Sequence, residues 1–230
     1  MMGLRERHKA DRERRILKAA ARLFRNAGYD GTKMERIAQT ARVSIGTIYN
    51  YYQNKGDLLV AIVAMEVNEV LGSGARHIAG RHRSVQSAVD RLVAIYIEHS
   101  LVYLSEQMWQ HAMAIATQQP DTPFGVIYAG LDARLARQVC ELLDTLKSAG
   151  LLAEDVDTVA AGELIFNNLN MMFTTFVKTE NMTVQEVLSA IARQHRVLLE
   201  RITCLPSRRR PTPGRTASPY DRASRADRTC

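Results

Sequence analysis

The chain has 230 residues, 46% of them hydrophobic and 24% charged, with a formal net charge of +7 and a pI near 9.5. That length buries a sizeable core, and three cysteines (Cys140, Cys204, Cys230) without metal-ligand or redox spacing exclude a closed disulfide framework and suit a reducing compartment. The charge is unevenly spread, with +7 on residues 1–57, −5 on 58–204 and +5 on 205–230, so the N-terminal part suits phosphate contact and the middle does not suit polyanions.

Met1 to Arg15 is charged and lacks an apolar signal core, so a cytoplasmic protein is expected. Ile16, Ala19, Ala20, Leu23 and Phe24 then recur at helical spacing and give a basic helix one apolar stripe, with Gly28 as its C-cap. Arg5, Arg7, Lys9, Arg12, Arg14 and Arg15 upstream read either as a solvated helix start or as phosphate contacts. Three caps divide the stretch from Thr32 to Leu59. Thr32 with Glu35 forms a capping-box pattern, Ser44 is followed by Thr47, and Asn54 by Asp57, which predicts helices over 33–40, 44–51 and from 55 onward. Ile37, Ala41, Val43, Ile48 and Tyr51 fall on an inward face, and the small Ala38 sits where two short helices cross. This is the spacing of a helix-turn-helix.

The run Phe24 to Leu59 carries Gly28-Tyr29, Thr32, Ile37-Ala38, Val43-Ser44, Gly46-Thr47-Ile48-Tyr49, Tyr51-Tyr52, Lys55 and Leu58-Leu59. It resembles the N-terminal motif of the TetR family of bacterial transcription regulators. The resemblance implies that the helix from Ser44 to Tyr51 enters the major groove of duplex DNA. Gly46 would let the backbone approach, and Thr47, Tyr49, Asn50 and Tyr51 would meet bases or phosphates. Lys55, and Thr32 with Lys33 one helix earlier, would hold phosphates. Tyr51 and Tyr52 read equally as core.

Three positions depart from the family pattern. Arg42 stands at the turn where Gly is usual; a left-handed backbone there would cost about 1 kcal/mol, which a phosphate contact could offset. Ile45 replaces a polar or basic residue and suggests a thymine-methyl contact or an earlier helix start. Gly56 replaces a common Glu and weakens the first turn of the next helix.

Beyond Leu58 no strand-like alternation persists. Helices are expected at 55–71, 84–105, 106–118, 123–149, 155–179 and 183–203, with Gly72-Ser73-Gly74 interrupting the first and Pro120 and Pro123 marking a break. The most apolar run, Leu164 to Val177, contains three asparagines and is too short to span a bilayer. Ala160, Ala161, Gly162, Ile165, Phe166, Leu169, Met172, Phe173 and Phe176 are too many for one face of a surface helix. In the last helix Val184, Val187, Leu188, Ile191, His195, Leu198 and Ile202 form one stripe behind the capping box Thr183–Glu186. These two helices are the candidates for self-association, and the resemblance implies a homodimer through a four-helix bundle. The Pro- and Arg-rich stretch after Cys204 cannot build a core and reads as disordered.

The expected architecture is all-α. A three-helix DNA-binding head over 1–57 precedes a helical ligand-binding and dimerisation domain over 58–203, and a basic tail covers 204–230. The resemblance implies that the body binds a small molecule whose binding alters operator affinity, with repression the family's usual mode and activation the alternative. Candidate lining residues are Tyr96, His99, Tyr103, Met108, Trp109, His111, Met113, Phe124, Tyr128, Phe166, Asn170 and Phe173, which suit an apolar or aromatic ligand. No Gly-rich phosphate loop, nucleophile elbow or His-Glu-x-x-His stands in the chain, and its six histidines have no ligand spacing, so neither catalysis nor a metal or cofactor is expected. A helical scaffold using the N-terminal module for protein contacts is the competing reading.

Overall fold

The computed structural model describes residues 3–203. Nine helices run through them: α1 (Leu4–Ala27), α2 (Met34–Ala41), α3 (Ile45–Tyr49), α4 (Lys55–Ile78), α5 (Val85–His99), α6 (Glu106–Gln118), α7 (Pro123–Ser148), α8 (Thr158–Lys178) and α9 (Val184–Ile202). A single antiparallel bridge pairs Leu152 with Thr203. The fold is all-α, as expected; the tail expected over 204–230 lies outside the described residues.

The head is held by α1 packing on α2 and α4, and α2 on α3. Ile16, Ala20 and Phe24 of α1 are buried with Ile37 of α2, Ile48 of α3 and Leu58 and Leu59 of α4, each large side chain contributing about 1.5–3 kcal/mol. The caps at Ser44 and Asn54 form as expected: Ser44 Oγ accepts from the Thr47 amide at 3.1 Å and Asn54 Oδ1 from that of Asp57 at 3.0 Å. The Thr32–Glu35 box does not form. Lys33 holds the N-cap position of α2 without a side-chain hydrogen bond, because the Thr32 hydroxyl turns back to the carbonyls of Gly28 (2.8 Å) and Leu23 (3.3 Å) at the open end of α1.

The body corrects three further boundaries. Gly72-Ser73-Gly74 does not interrupt α4, which runs on to Ile78. Gly74 is a close-approach position instead: a Cβ there would lie 2.0 Å from Gln138 Oε1 on α7, and that glutamine is fixed by Tyr96 Oη (2.8 Å) and the Leu71 carbonyl (2.9 Å). α4, rather than the 164–177 run, is the helix long and apolar enough to cross a membrane, yet it packs against α1, α5 and α7, and its hydrophobicity serves the core. α5 ends at His99 instead of 105. The Tyr103 amide donates to Glu66 Oε2 on α4 at 3.2 Å, Leu104 is buried, and Ser105 caps α6.

Asp157 accepts from the amides of Val159 and Ala160, so α8 starts at 158 and not at 155. The Thr183–Glu186 box on α9 forms in both directions. α8 packs on α7, α6 and α9 and buries Ala161, Ile165, Phe166, Leu169 and Phe176. It is nevertheless not apolar-buried all round, since Leu164 and Met171 are 60% and 65% exposed.

Candidate functional site

One face of the head carries most of the residues expected to touch DNA. Ser44, Gly46, Tyr49 and Asn50 are exposed, as are Lys33 and Arg42, and Thr47 and Tyr51 are half-buried. Tyr49 is 50% exposed. Ser44 and Thr47 share a hydroxyl contact of 2.8 Å, so both are set by the helix start as well as open to a partner. Tyr51 stacks on Tyr52 at 6.1 Å, with the Lys9 ammonium 6.0 Å above its ring. Tyr52 is core, its phenol pushed up by burial and by the Glu13 carboxylate, which accepts a hydrogen bond from its hydroxyl at 3.1 Å.

Arg42 sits at φ 55°, ψ 51°, the left-handed turn that glycine would occupy without strain. Its guanidinium stands with Arg15, Lys18 and Arg22 around a shallow basic cleft. Nothing in the sequence singles out Lys18 and Arg22; they lie on the polar side of the α1 stripe, where the bland reading is solvation.

Three expectations for this face are corrected, at Thr32, Lys55 and Ile45. Thr32 is 1% exposed, with its hydroxyl committed to two carbonyls, so it offers no side chain to a phosphate. Lys55 Nζ donates to the carbonyls of Tyr29 (2.9 Å) and Asp30 (3.1 Å) and lies 4.9 Å from the Tyr29 ring centroid. It therefore clamps the α1–α2 turn, with at most one N–H left over. Ile45 is half-buried against the core rather than exposed, as the first residue of α3. At Gly56 a Cβ would lie 2.9 Å from Asn54 Oδ1, so glycine there leaves the cap undisturbed. In the basic run upstream, Arg14 pairs with Glu69 of α4 at 3.4 Å and Arg15 with Asp11 at 3.8 Å.

In the body, α4, α5, α6, α7 and α8 line a cavity of about 70 Å³. Six of the expected lining residues converge on it: Tyr96, Trp109, Tyr128, Phe166, Asn170 and Phe173. Met113 lines an adjoining open cleft of about 560 Å³, which shares Tyr128, Asp132 and Asn170 with the cavity. The other five lie elsewhere. Met108 and Phe124 are core, the latter stacked on Tyr128 at 6.4 Å. His111 packs against Tyr29 of the head at 4.4 Å. Tyr103 Oη donates to Glu69 at 3.0 Å. His99 stands behind the wall and bonds Glu66 through Nδ1 at 2.5 Å.

Two carboxylates on the wall, Glu66 and Asp132, were not anticipated. Burial pushes Glu66 up from the ordinary carboxylate range, opposed by its bonds to His99 and the Tyr103 amide. Burial pushes Asp132 up to about 6, opposed only by a hydrogen bond from Asn170. Their signal was positional. Glu66 falls on the apolar stripe Ile62, Val63, Val67, Val70, and Asp132 sits one turn from Tyr128 and Leu135, where a solvated acid does not belong. Among the described residues no three His, Cys, Asp or Glu side chains gather as a metal site.

Head and body are joined at several points. Glu66 contacts His99, whose Nε2 lies 3.6 Å from Glu69, which in turn pairs with Arg14 of α1. Arg25 of α1 donates to the carbonyls of Leu101 (3.2 Å) and Val102 in the α5–α6 turn.

Residues 16–62, which span α1 to the start of α4, match the family model of bacterial regulatory proteins, tetR family. The head is thus that of the TetR family. It is 23% identical to the fatty acid metabolism regulator protein of Bacillus subtilis over 169 residues, 72% of this chain and 83% of that protein. To the transcriptional repressor KstR of Rhodococcus jostii it is 36% identical, over only 28% of this chain and 30% of that one. The crystal structure of FadR from Bacillus subtilis in complex with stearoyl-CoA superposes with a TM-score of 0.59 at 20% identity, covering 82% of this chain and 98% of that one. The family match lies in the head. The body shares a fold with FadR at low identity, so its pocket has to be read from its own residues.

Proposed function

We propose that the protein is a dimeric repressor, released from a palindromic operator when a small, largely apolar or aromatic molecule occupies the cavity lined by α4 to α8. The observation that carries this reading is the joining of the two sites through one helix. α4 begins at the reading head with the Asn54 cap and the Lys55 clamp, and its Glu66 forms part of the cavity wall. A ligand that displaces Glu66 or His99 acts on the same network that ends at Arg14 of the head, which supplies the differential contact between two states that allosteric release requires. A repressor and a ligand-bound regulator among the relatives support the same direction.

Within this reading Tyr49, Asn50, Thr47, Ser44 and Gly46 face the major groove, and Lys33 and Arg42 contact the backbone. The head is residues 1–57 and the body 58–203. Exposed Leu164 and Met171, seven residues apart on α8, and Val197 on α9 support a second copy packing there. Two heads then demand half-sites about one helical turn, or a multiple of it, apart.

A gel-shift titration with a palindrome from the gene's own upstream region tests the proposal. Tyr49→Ala should keep the wild-type unfolding midpoint and lose at least ten-fold in affinity, with a steep salt dependence for both proteins. Unchanged affinity of a folded Tyr49→Ala protein, or salt-insensitive binding, would sink the assignment.

A further inference from the structure

The two carboxylates of the cavity differ in how they are satisfied. Glu66 accepts from His99 Nδ1 and from the Tyr103 amide. Asp132 stands where cavity and cleft meet, beside Asn170, which borders both spaces. Among the described residues no Lys, Arg or His lies within ion-pair distance of it; Lys178 lines only the cleft. A carboxylate held in largely apolar surroundings without a countercharge is unfavourable until a cation joins it. The same cavity is walled by Trp109, Tyr128, Phe166 and Phe173, whose ring faces attract positive charge.

We propose that the effector of this site is an organic cation, an amine or quaternary ammonium group on an apolar or aromatic body, its charge against Asp132 and its body among the aromatic walls. The inference rests on the reading of this cavity as the effector site. The cavity alone, at about 70 Å³, is smaller than such a molecule, which therefore spans cavity and cleft, since Tyr128, Asp132 and Asn170 border both spaces. An acyl chain of the kind carried by stearoyl-CoA would fill the apolar part yet leave Asp132 without a countercharge. A carboxylate or phosphate would meet like charge from Asp132 and Glu66.

Trp109 is the single tryptophan of the chain and lines the cavity, so its fluorescence reports occupancy. The full-length protein is titrated with benzyltrimethylammonium, with its uncharged carbon isostere neopentylbenzene, and with octanoyl-CoA, and each is then tested for release of bound operator. The expected result is at least ten-fold tighter binding of the cation than of the isostere. Asp132→Asn should abolish that ratio and leave neopentylbenzene binding unchanged, and Asp132→Ser serves as the second variant should the first fail to fold. Equal or tighter binding of neopentylbenzene, or binding of octanoyl-CoA without the cation, overturns the cation assignment and leaves the effector site standing. No response of Trp109 to any of the three, in a protein that still binds DNA, overturns both.

Discussion

Replacing Asp132 with asparagine removes one charge from the cavity wall while keeping the shape of the side chain and a partner for Asn170. The carboxyl moves from 3.8 to about 6 on folding because burial disfavours its ionised form. At pH 8 it is ionised in both states, and the folded protein bears the full penalty, about 3 kcal/mol at most, less whatever water reaches it from the cleft. As pH falls through 6 the folded protein takes up a proton that the unfolded chain does not, so the penalty shrinks, to about 1.6 kcal/mol at pH 5, and is gone below 3.8. Asp132→Asn should therefore be more stable than wild type at pH 8, and its advantage should be larger there than at pH 5 by about 1.4 kcal/mol. Urea unfolding of both proteins at the two pH values, followed by circular dichroism, measures the difference between differences, in which other titrating groups cancel. An advantage that does not change with pH, or a variant less stable at pH 8, would refute the view of Asp132 as a buried, uncompensated charge.

Four other substitutions test the energetics of the frame. His195 is buried on α9 with neither ring nitrogen hydrogen-bonded, and desolvation holds its pKa below the ordinary value. His195→Leu should raise stability by about 1–2 kcal/mol and remove a loss of stability that wild type shows as pH falls through about 6.5, both readable in thermal melts at pH 5.5 and 7.5. Arg42→Gly relieves the left-handed backbone and should gain up to about 1 kcal/mol in urea unfolding, while weakening DNA binding and flattening its salt dependence by about one contact in gel shifts. Gly74→Ala drives a methyl into Gln138 and should cost about 1–3 kcal/mol, seen as a lowered melting temperature. Lys55→Ala frees the carbonyls of Tyr29 and Asp30 and should destabilise the protein by about 1–3 kcal/mol, so its loss of DNA affinity should be accompanied by a lowered unfolding midpoint, unlike that of Tyr49→Ala.

Local signals account for much of what the sequence alone determined. Helix caps at Ser44, Asn54 and Thr183, the stripe from Ile16 to Phe24 and the breaks at Gly28 and Pro123 act over three or four residues, and they define the reading head and most helix boundaries. Half of the expected cavity wall was also legible, because aromatic residues on the inner stripes of amphipathic helices have few other places to go. Tertiary structure decided what depends on residues far apart in the chain. Gly74 reads as a helix breaker until Gln138 of α7 is laid against it, and α5 stops at His99 because Glu66, more than thirty residues earlier, takes the Tyr103 amide. Lys55 resembles a phosphate ligand until the Tyr29 and Asp30 carbonyls are seen to hold it. Glu66 and Asp132 become a pair on one cavity wall only when α4 and α7 pack, since a lone acid on a helix carries no local sign of which surface the packing will place it on.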